Sequence, residues 1–160
     1  TESLMHYAEL LKDDPEWGPK AAAMAKKVRE FCSFVAEEYQ KRGRLKKGKG
    51  GPKVSYHDSC HMLRELGIAE QPRRLLERSG AQVVPPPRPD LCCGFGGTFS
   101  VRQPEVSVAL ADEKLAAARD AEALVTADPG CLVHLRGRAE RVGGPPVVHL
   151  ATALARGAAA

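Results

Sequence analysis

The chain has two regions that differ in the spacing of their apolar residues. Over the first 43 residues, apolar side chains recur every three or four positions, as on a helix face, and Leu4, Ala8 and Leu11 open this pattern within residues 4–13. Asp14-Pro15 is typical of an N-cap followed by a first-turn proline, which predicts a second, long helix ending near Gly43. The apolar stripe of this helix comprises Trp17, Ala21, Met24, Val28, Phe31 or Cys32, Val35 and Tyr39.

From Val54 onward, short apolar runs alternate with helical stretches. The strands are predicted at residues 54–57, 82–84, 123–127 and 147–149. The helices between and after them are predicted from Cys60 to a break at Gly67, from Pro72 to Ser79, from Pro104 to Ala117, from Gly130 to Leu135 and from Leu150 to Leu154. This alternation is typical of an α/β fold: a small parallel sheet of about four strands with flanking helices, a Rossmann-like half, preceded by two N-terminal helices. It leaves the order of the strands open.

Composition sets the domain organisation. At 160 residues and 43% hydrophobic, the chain is long enough for one domain with a real core. We expect the N-terminal helices of residues 1–43 to pack on the domain of residues 54–156, with a basic, Gly-rich linker at 44–53 between them. Seven basic residues and no acid lie between Lys41 and Lys53, and they exceed the whole formal net charge of +4. Because no aromatic residue interleaves this run, a solvated linker is favoured over a nucleic-acid site.

Cysteine usage and hydropathy bear on the compartment. Five cysteines, an odd number in an α/β pattern, fit a reducing compartment and ligand chemistry better than a disulfide framework. Without an apolar stretch long enough for a membrane span or a secretory signal, and with Thr1 as its first residue, the chain is expected to be a cytoplasmic fragment of a longer protein.

Four of the cysteines follow predicted strands. Cys60 comes after the first strand, Cys92-Cys93 after the second and its proline-rich continuation, and Cys131 after the third. Because parallel strands joined by right-handed crossovers gather these loops at one sheet edge, a metal-binding or iron–sulfur site is predicted there. Cys32 lies instead on the long helical stripe, where a small buried side chain is favoured over a fifth ligand.

The pattern of the thiols bears on the kind of metal. Soft thiolates select zinc or iron–sulfur clusters, and a single zinc ion usually takes spaced pairs such as C-x-x-C. Adjacent Cys92 and Cys93 suit a polynuclear cluster better, since consecutive sulfurs tend to diverge. Gly94, Gly96 and Gly97 are expected to let the backbone approach the sulfurs and aim N–H groups at them.

Polar residues near these cysteines have candidate roles as well. His57, His61, His134 and His149 are all expected to line the crevice, mostly as hydrogen-bond donors or packing residues, with His134 also a candidate ligand. Asp58 and Asp128 are expected to cap the helices that follow them rather than to act as catalytic bases.

These motifs resemble a known family. His57-Asp58-Ser59-Cys60-His61, Cys92-Cys93-Gly94-Phe95-Gly96-Gly97-Thr98-Phe99-Ser100-Val101, Ala127-Asp128-Pro129-Gly130-Cys131-Leu132 and Val148-His149-Leu150-Ala151 resemble the CCG, or cysteine-rich, domain of heterodisulfide reductase and its relatives. Within that family they are most similar to the branch of lactate utilization protein A and the glycolate oxidase iron–sulfur subunit. The resemblance covers residues 1 to about 155 and fits the second of two CCG copies.

The resemblance implies an electron-transfer domain that binds a 4Fe–4S cluster in a lactate or glycolate oxidation complex. The implied partners are an N-terminal CCG half and other iron–sulfur or flavin subunits. The fullest family motif ends in C-x-x-C, whereas Cys131-Leu132-Val133-His134 ends in histidine, so four thiolates are available, with His134 as an additional candidate. Two alternatives stay open: thiol–disulfide chemistry of the heterodisulfide reductase type, and a non-catalytic zinc-binding or metal-free module that docks on partner subunits.

Overall fold

The architecture is a four-stranded parallel sheet with helices on both faces, seen in a computed structural model that describes residues 1–42 and 50–156. In chain order the elements are α1 (Glu2–Leu10), α2 (Trp17–Ala25), α3 (Phe31–Arg42), β1 (Lys53–His57), a π-helical turn (His61–Glu65), α4 (Glu70–Arg78), β2 (Gln82–Val84), α5 (Thr98–Arg102), α6 (Pro104–Ala116), β3 (Ala123–Thr126), α7 (Pro129–Val142), β4 (Val147–His149) and α8 (Leu150–Ala155). The predicted α/β class, with its four parallel strands, is confirmed.

The strand order is β2-β1-β3-β4. From β1 the chain moves to β2 on one side and then crosses to β3 on the other side, so the direction of winding reverses between β1 and β3. In register, Val54 lies beside Ala123 and His57 beside Thr126. Ligands of open α/β sheets bind beyond the carboxyl ends of the strands at such a switch point. His57 and Thr126 therefore mark the edge at which a site is expected.

The sheet buries a core on each face because helices pack on both sides of it. Val54, Tyr56 and Val125 point into the cluster formed with α3, α4 and α8, which includes Cys32. Leu124 points to the opposite face, where α6 and α7 pack and where Cys93 and Cys131 are buried. Since side chains alternate along a strand, His57 at the end of β1 is on the opposite face from Tyr56 and on the face of these two cysteines.

The N-terminal region differs from the prediction, because the long second helix is two helices, α2 and α3. The helical pattern of apolar residues continues through residues 26–30, but the backbone does not. The N–H groups of Lys27 and Val28 close a tight turn on the Met24 carbonyl. The Glu30 carboxylate then accepts the Ser33 N–H at 2.9 Å, which caps a new helix. A local side-chain cap thus outweighs the continuous stripe.

The strand boundaries agree within one residue with the sequence patterns, but α7 runs to Val142, seven residues past the predicted end at Leu135. The short helix α5 lies in a segment for which no element was predicted. The predicted linker falls largely on residues 43–49, outside the described residues, and β1 begins at Lys53, the last linker residue. Within the described ranges, no helix has both the length and the apolar character needed to cross a membrane.

Candidate metal centre

Two buried cysteines and a histidine meet at the β1/β3 switch point. The Sγ atoms of Cys93 and Cys131 are 3.1 Å apart. Together with a ring nitrogen of His57, they form a group whose ligand atoms all lie within 4.8 Å of one another. These side chains are at most 6% exposed, although they come from β1, the loop after β2 and the first turn of α7. The fold therefore gathers soft donors that are distant in sequence.

Cys131 is positioned by the start of α7. Asp128 has an extended backbone, and its carboxylate accepts the Cys131 N–H at 3.0 Å, so it is the N-cap that the sequence predicted. Pro129 follows in the first turn of the helix. This cap fixes the Cys131 backbone at the N-terminus of the helix, beside the buried Cys93 sulfur.

The Cys92-Cys93 loop is shaped by Gly94. This glycine has φ +89°, and a Cβ on it would lie 2.3 Å from the Ser107 carbonyl oxygen. The close approach lets the Ser107 hydroxyl donate to the Gly94 carbonyl at 2.7 Å, which ties the loop to α6. The Gly94 N–H points at Cys92 Sγ at 3.4 Å, and the Phe95 N–H points at Cys93 Sγ at 3.5 Å. The loop thus aims N–H groups at both sulfurs, although only one of them comes from the three glycines of which this was expected.

The two close thiols shift each other's pKa. The hydrogen bond with Cys131 is the main cause that lowers the pKa of Cys93, helped by His57 and the Phe95 N–H and opposed by burial. The same hydrogen bond and burial raise the pKa of Cys131. The pair thus favours negative charge on the Cys93 sulfur, and cysteine sulfur binds metals in the thiolate form.

Cys60 and Cys92 are exposed at the rim of this centre. They are not part of the group within 4.8 Å, which holds only Cys93 and Cys131 of the predicted thiols. Partial burial is the main cause that raises the pKa of Cys92, and the charges of Cys93 and Cys60 contribute to the same effect. The four thiols thus share one electrostatic neighbourhood, with two inside and two at its opening.

His57 is the site residue that sequence reasoning placed only loosely. Its ring is 1% exposed, and neither Nδ1 nor Nε2 has a partner at hydrogen-bond distance among the described residues. The ring is nevertheless close enough to help lower the pKa of Cys93, and a ring nitrogen lies within 4.8 Å of both buried sulfurs. A buried imidazole that faces two sulfurs fits a metal-binding group better than a packing residue. The signal in the sequence is the strand alternation, which puts His57 on the face opposite Tyr56.

The other histidines have partners of their own. His134 Nε2 lies 3.3 Å from the Ser107 hydroxyl, and its ring contacts Phe95 at a centroid distance of 6.0 Å. Because the Ser107 hydroxyl already donates to Gly94, His134 is placed to donate to it. His149 caps α8 through Nδ1, and its Nε2 bonds the Ala127 carbonyl at 3.1 Å. His61 Nδ1 faces the Glu2 carboxylate of α1 at 3.4 Å.

Asp58 does not cap the turn that follows it, so this part of the prediction is wrong. Its buried carboxylate forms a two-pronged ion pair with the Arg73 guanidinium of α4. The cap comes instead from Ser59, whose hydroxyl accepts the Met62 N–H at 3.2 Å. A buried carboxylate gains more from a guanidinium than from a single N–H, which explains the difference.

Comparisons with known proteins identify similar sequences. Three proteins named "Lactate utilization protein A" are among the similar sequences. Those of Lysinibacillus sphaericus (strain C3-41), Exiguobacterium sp. (strain ATCC BAA-1283 / AT1b) and Geobacillus kaustophilus (strain HTA426) are 42%, 42% and 40% identical to this chain. The alignments cover 92%, 94% and 94% of this chain but 66%, 62% and 64% of the relatives, so the chain spans slightly less than two thirds of their length.

The family comparison covers the site itself. A family model named CCG and described as "Cysteine-rich domain" matches residues 54–136. That range contains His57, Cys60, Cys92-Cys93 and Cys131, together with strands β1 to β3 that position them. The chain therefore belongs to the CCG cysteine-rich domain family.

Proposed function

We propose that Cys60, Cys92, Cys93 and Cys131 hold an iron–sulfur cluster, of the 4Fe–4S type, through which this chain carries electrons. The observation that carries the proposal is the buried Cys93–Cys131 pair, whose sulfurs lie within 4.8 Å of a ring nitrogen of His57. Soft thiolates with N–H groups aimed at their sulfurs are the donor set that such clusters use. When bound, a cluster supplies reversible one-electron transfer.

Each group of this chain then has a task. Cys93 and Cys131 offer the inner ligands, and Cys92 and Cys60 offer ligands at the opening, where an exchange partner has access. The Gly94 and Phe95 N–H groups stabilise negative charge on sulfur and so help to set the reduction potential. Asp128 holds the Cys131 backbone, while His134 and Ser107 hold the glycine loop.

The wider role follows from the relatives. Because the similar proteins are named for lactate utilization, we propose that the electrons come from oxidation of a small 2-hydroxy acid, lactate first and glycolate second. We further propose that an N-terminal CCG half completes the protein and that its partners are iron–sulfur or flavin subunits of one oxidation complex. Five free cysteines fit the reducing conditions of the cytoplasm, the location we propose.

A second candidate is a zinc site. His57, Cys93 and Cys131 form a histidine and two-cysteine set at close range, and zinc takes such sets with a fourth ligand from protein or water. In that case the domain is a structural or docking module rather than an electron carrier. Metal identity separates the two functions.

The test is anaerobic reconstitution of the purified chain with iron and sulfide, then iron, sulfide and zinc analysis and electron paramagnetic resonance of the reduced sample. We expect iron and sulfide in stoichiometric amounts and a cluster signal. Stoichiometric zinc without iron would favour the second candidate instead.

The ligand assignment is tested with matched cysteine variants. Cys93→Ser and Cys32→Ser both alter a buried thiol, but only Cys93 lies at the centre, whereas Cys32 lies in the core against α4. We expect Cys93→Ser to lose iron loading and Cys32→Ser to keep it, with the fold of each checked by circular dichroism. Equal iron loss in both variants would refute the assignment, and Cys60→Ser and Cys92→Ser test the two outer ligands in the same way.

A further inference from the structure

A lysine lies buried beside the candidate metal centre. Lys114 of α6 is 1% exposed, which is rare for a residue that is normally charged and solvated. It lies outside the histidine and cysteine group and is not a metal ligand. Burying its ammonium carries a substantial desolvation cost, so something in its surroundings must compensate.

The ammonium anchors the segment that leads into the paired cysteines. Lys114 Nζ donates to the carbonyl oxygens of Arg88 and Pro89, both at 3.1 Å. Prolines at 85–87 and 89 leave this segment few N–H groups with which to form regular structure. The lysine therefore fixes a chain segment that ends only a few residues before Cys92 and Cys93.

The positive charge of Lys114 has no close carboxylate. Among the described residues, none of the ion pairs within 4.0 Å includes it. Two carboxylates farther away interact electrostatically with the Lys114 ammonium. They are Asp90 and Asp58, and Asp58 is also paired with Arg73. The sulfurs of Cys92 and Cys93 are also in electrostatic range of its ammonium.

The pKa of Lys114 reflects both its burial and these neighbouring groups. Burial is the main cause that lowers the pKa of Lys114, and the negative charges of Asp58, Asp90 and the two cysteines oppose that change. Lys114 and these two cysteines therefore interact electrostatically, and Lys114 acts in turn on whatever charge the sulfurs and their bound group carry.

We propose that Lys114 is a positioning residue for the metal centre, which anchors the Cys92-Cys93 loop and supplies a fixed positive charge that raises the reduction potential of the bound cluster. The inference rests on the proposed iron–sulfur function. Reduction adds one electron, and so one negative charge, to a centre that is already anionic. A buried cation nearby stabilises the reduced form more than the oxidised form, because the surrounding protein screens it weakly.

The experiment compares the reconstituted wild-type chain with Lys114→Met, which removes the charge, and Lys114→Arg, which keeps it. Lys20→Met, at an exposed helical position, is the control for loss of a positive charge elsewhere. The readout is the midpoint potential, from a dithionite titration followed by visible absorbance and electron paramagnetic resonance. We expect Lys114→Met to be about tenfold harder to reduce, which is about 59 mV for a one-electron couple. Lys114→Arg and Lys20→Met are expected to stay near the wild-type potential.

A second readout uses the metal-free protein. Hydrogen exchange of residues 90–93 is expected to be faster in Lys114→Met than in Lys20→Met, because the Arg88 and Pro89 carbonyls lose their donor. If Lys114→Met does not fold, Lys114→Gln replaces it, since an amide keeps a donor without the charge.

The outcomes separate the two proposals. A loaded wild type and a loaded neutral variant with the same potential would overturn the inference alone. If the midpoint potential of Lys114→Arg fell as far below the wild-type value as that of Lys114→Met, the role of the charge would be overturned. A wild-type chain that takes up no iron would overturn the proposed function and, with it, this inference.

Discussion

Gly94→Ala tests whether the cysteine loop depends on a close approach that only glycine permits. Two costs are expected. A side chain at φ +89° carries a backbone cost of about 1–2 kcal/mol, as in other left-handed conformations. The new Cβ would also lie 2.3 Å from the Ser107 carbonyl, and relieving such an overlap costs about 1–3 kcal/mol. The free energy of unfolding should therefore fall by about 2–5 kcal/mol.

Gly143→Ala is the matched control. Gly143 also has a positive φ, +65°, but a Cβ there meets nothing within 4 Å. In Gly143→Ala the free energy of unfolding should fall by the backbone cost alone, about 1–2 kcal/mol. Urea unfolding of the metal-free proteins, followed by circular dichroism, measures both values, and iron loading is measured after reconstitution.

The comparison isolates the contact with Ser107. We expect Gly94→Ala to lose iron loading, because relief of the overlap moves the loop that carries Cys92 and Cys93, whereas Gly143→Ala loads normally. Equal losses of stability with normal loading in both variants would show that the close approach does not matter, and the account of the loop would be wrong.

Three further predictions use other contacts of the structure. Asp128→Ala removes the cap on the Cys131 N–H and should cost about 1 kcal/mol in urea unfolding and weaken iron loading, whereas exposed Asp120→Ala should change neither. Asp58→Ala leaves the Arg73 guanidinium without its carboxylate and should cost about 2–4 kcal/mol; a loss under 1 kcal/mol would mean that the pair is solvated. Burial, with Glu30, raises the pKa of Cys32, so the folded state keeps a proton that the unfolded state loses above about pH 8.5. Stability should therefore fall as pH rises from there, by up to about 1.4 kcal/mol per pH unit for this proton. Anaerobic unfolding at a series of pH values should show a shallower decline in Cys32→Ala, and identical slopes would contradict the assignment.

The sequence patterns predicted the sheet well because the signals that define it are local. β4 and β2 have the predicted bounds, and β1 and β3 differ by one residue each. Short apolar runs bounded by proline, glycine or polar residues leave few alternatives to a buried strand. The Asp128 cap could be predicted for the same reason, since Asp128 and Cys131 lie three residues apart.

The sequence predicted at which edge of the sheet the site lies, but it did not predict which side chains contact one another there. That Cys93 and Cys131 would share an edge followed from the strand positions, but their 3.1 Å separation joins residues 38 positions apart. His57, Cys60 and Cys92 all lie at or after the carboxyl end of a strand, yet His57 is buried with the inner thiols while the two cysteines are exposed. Burial of this kind depends on how α6, α7 and the loop pack together.

The sequence by itself determined the class of fold, the strands and the loops that carry the thiols, because hydrophobic spacing and turn residues act within a few positions along the chain. Only the tertiary structure decided the strand order, the Asp58–Arg73 pair, the burial of His57 beside the two inner thiols and the burial of Lys114. Each of these depends on side chains competing for partners across the fold, and the outcome of that competition is set by packing rather than by sequence spacing.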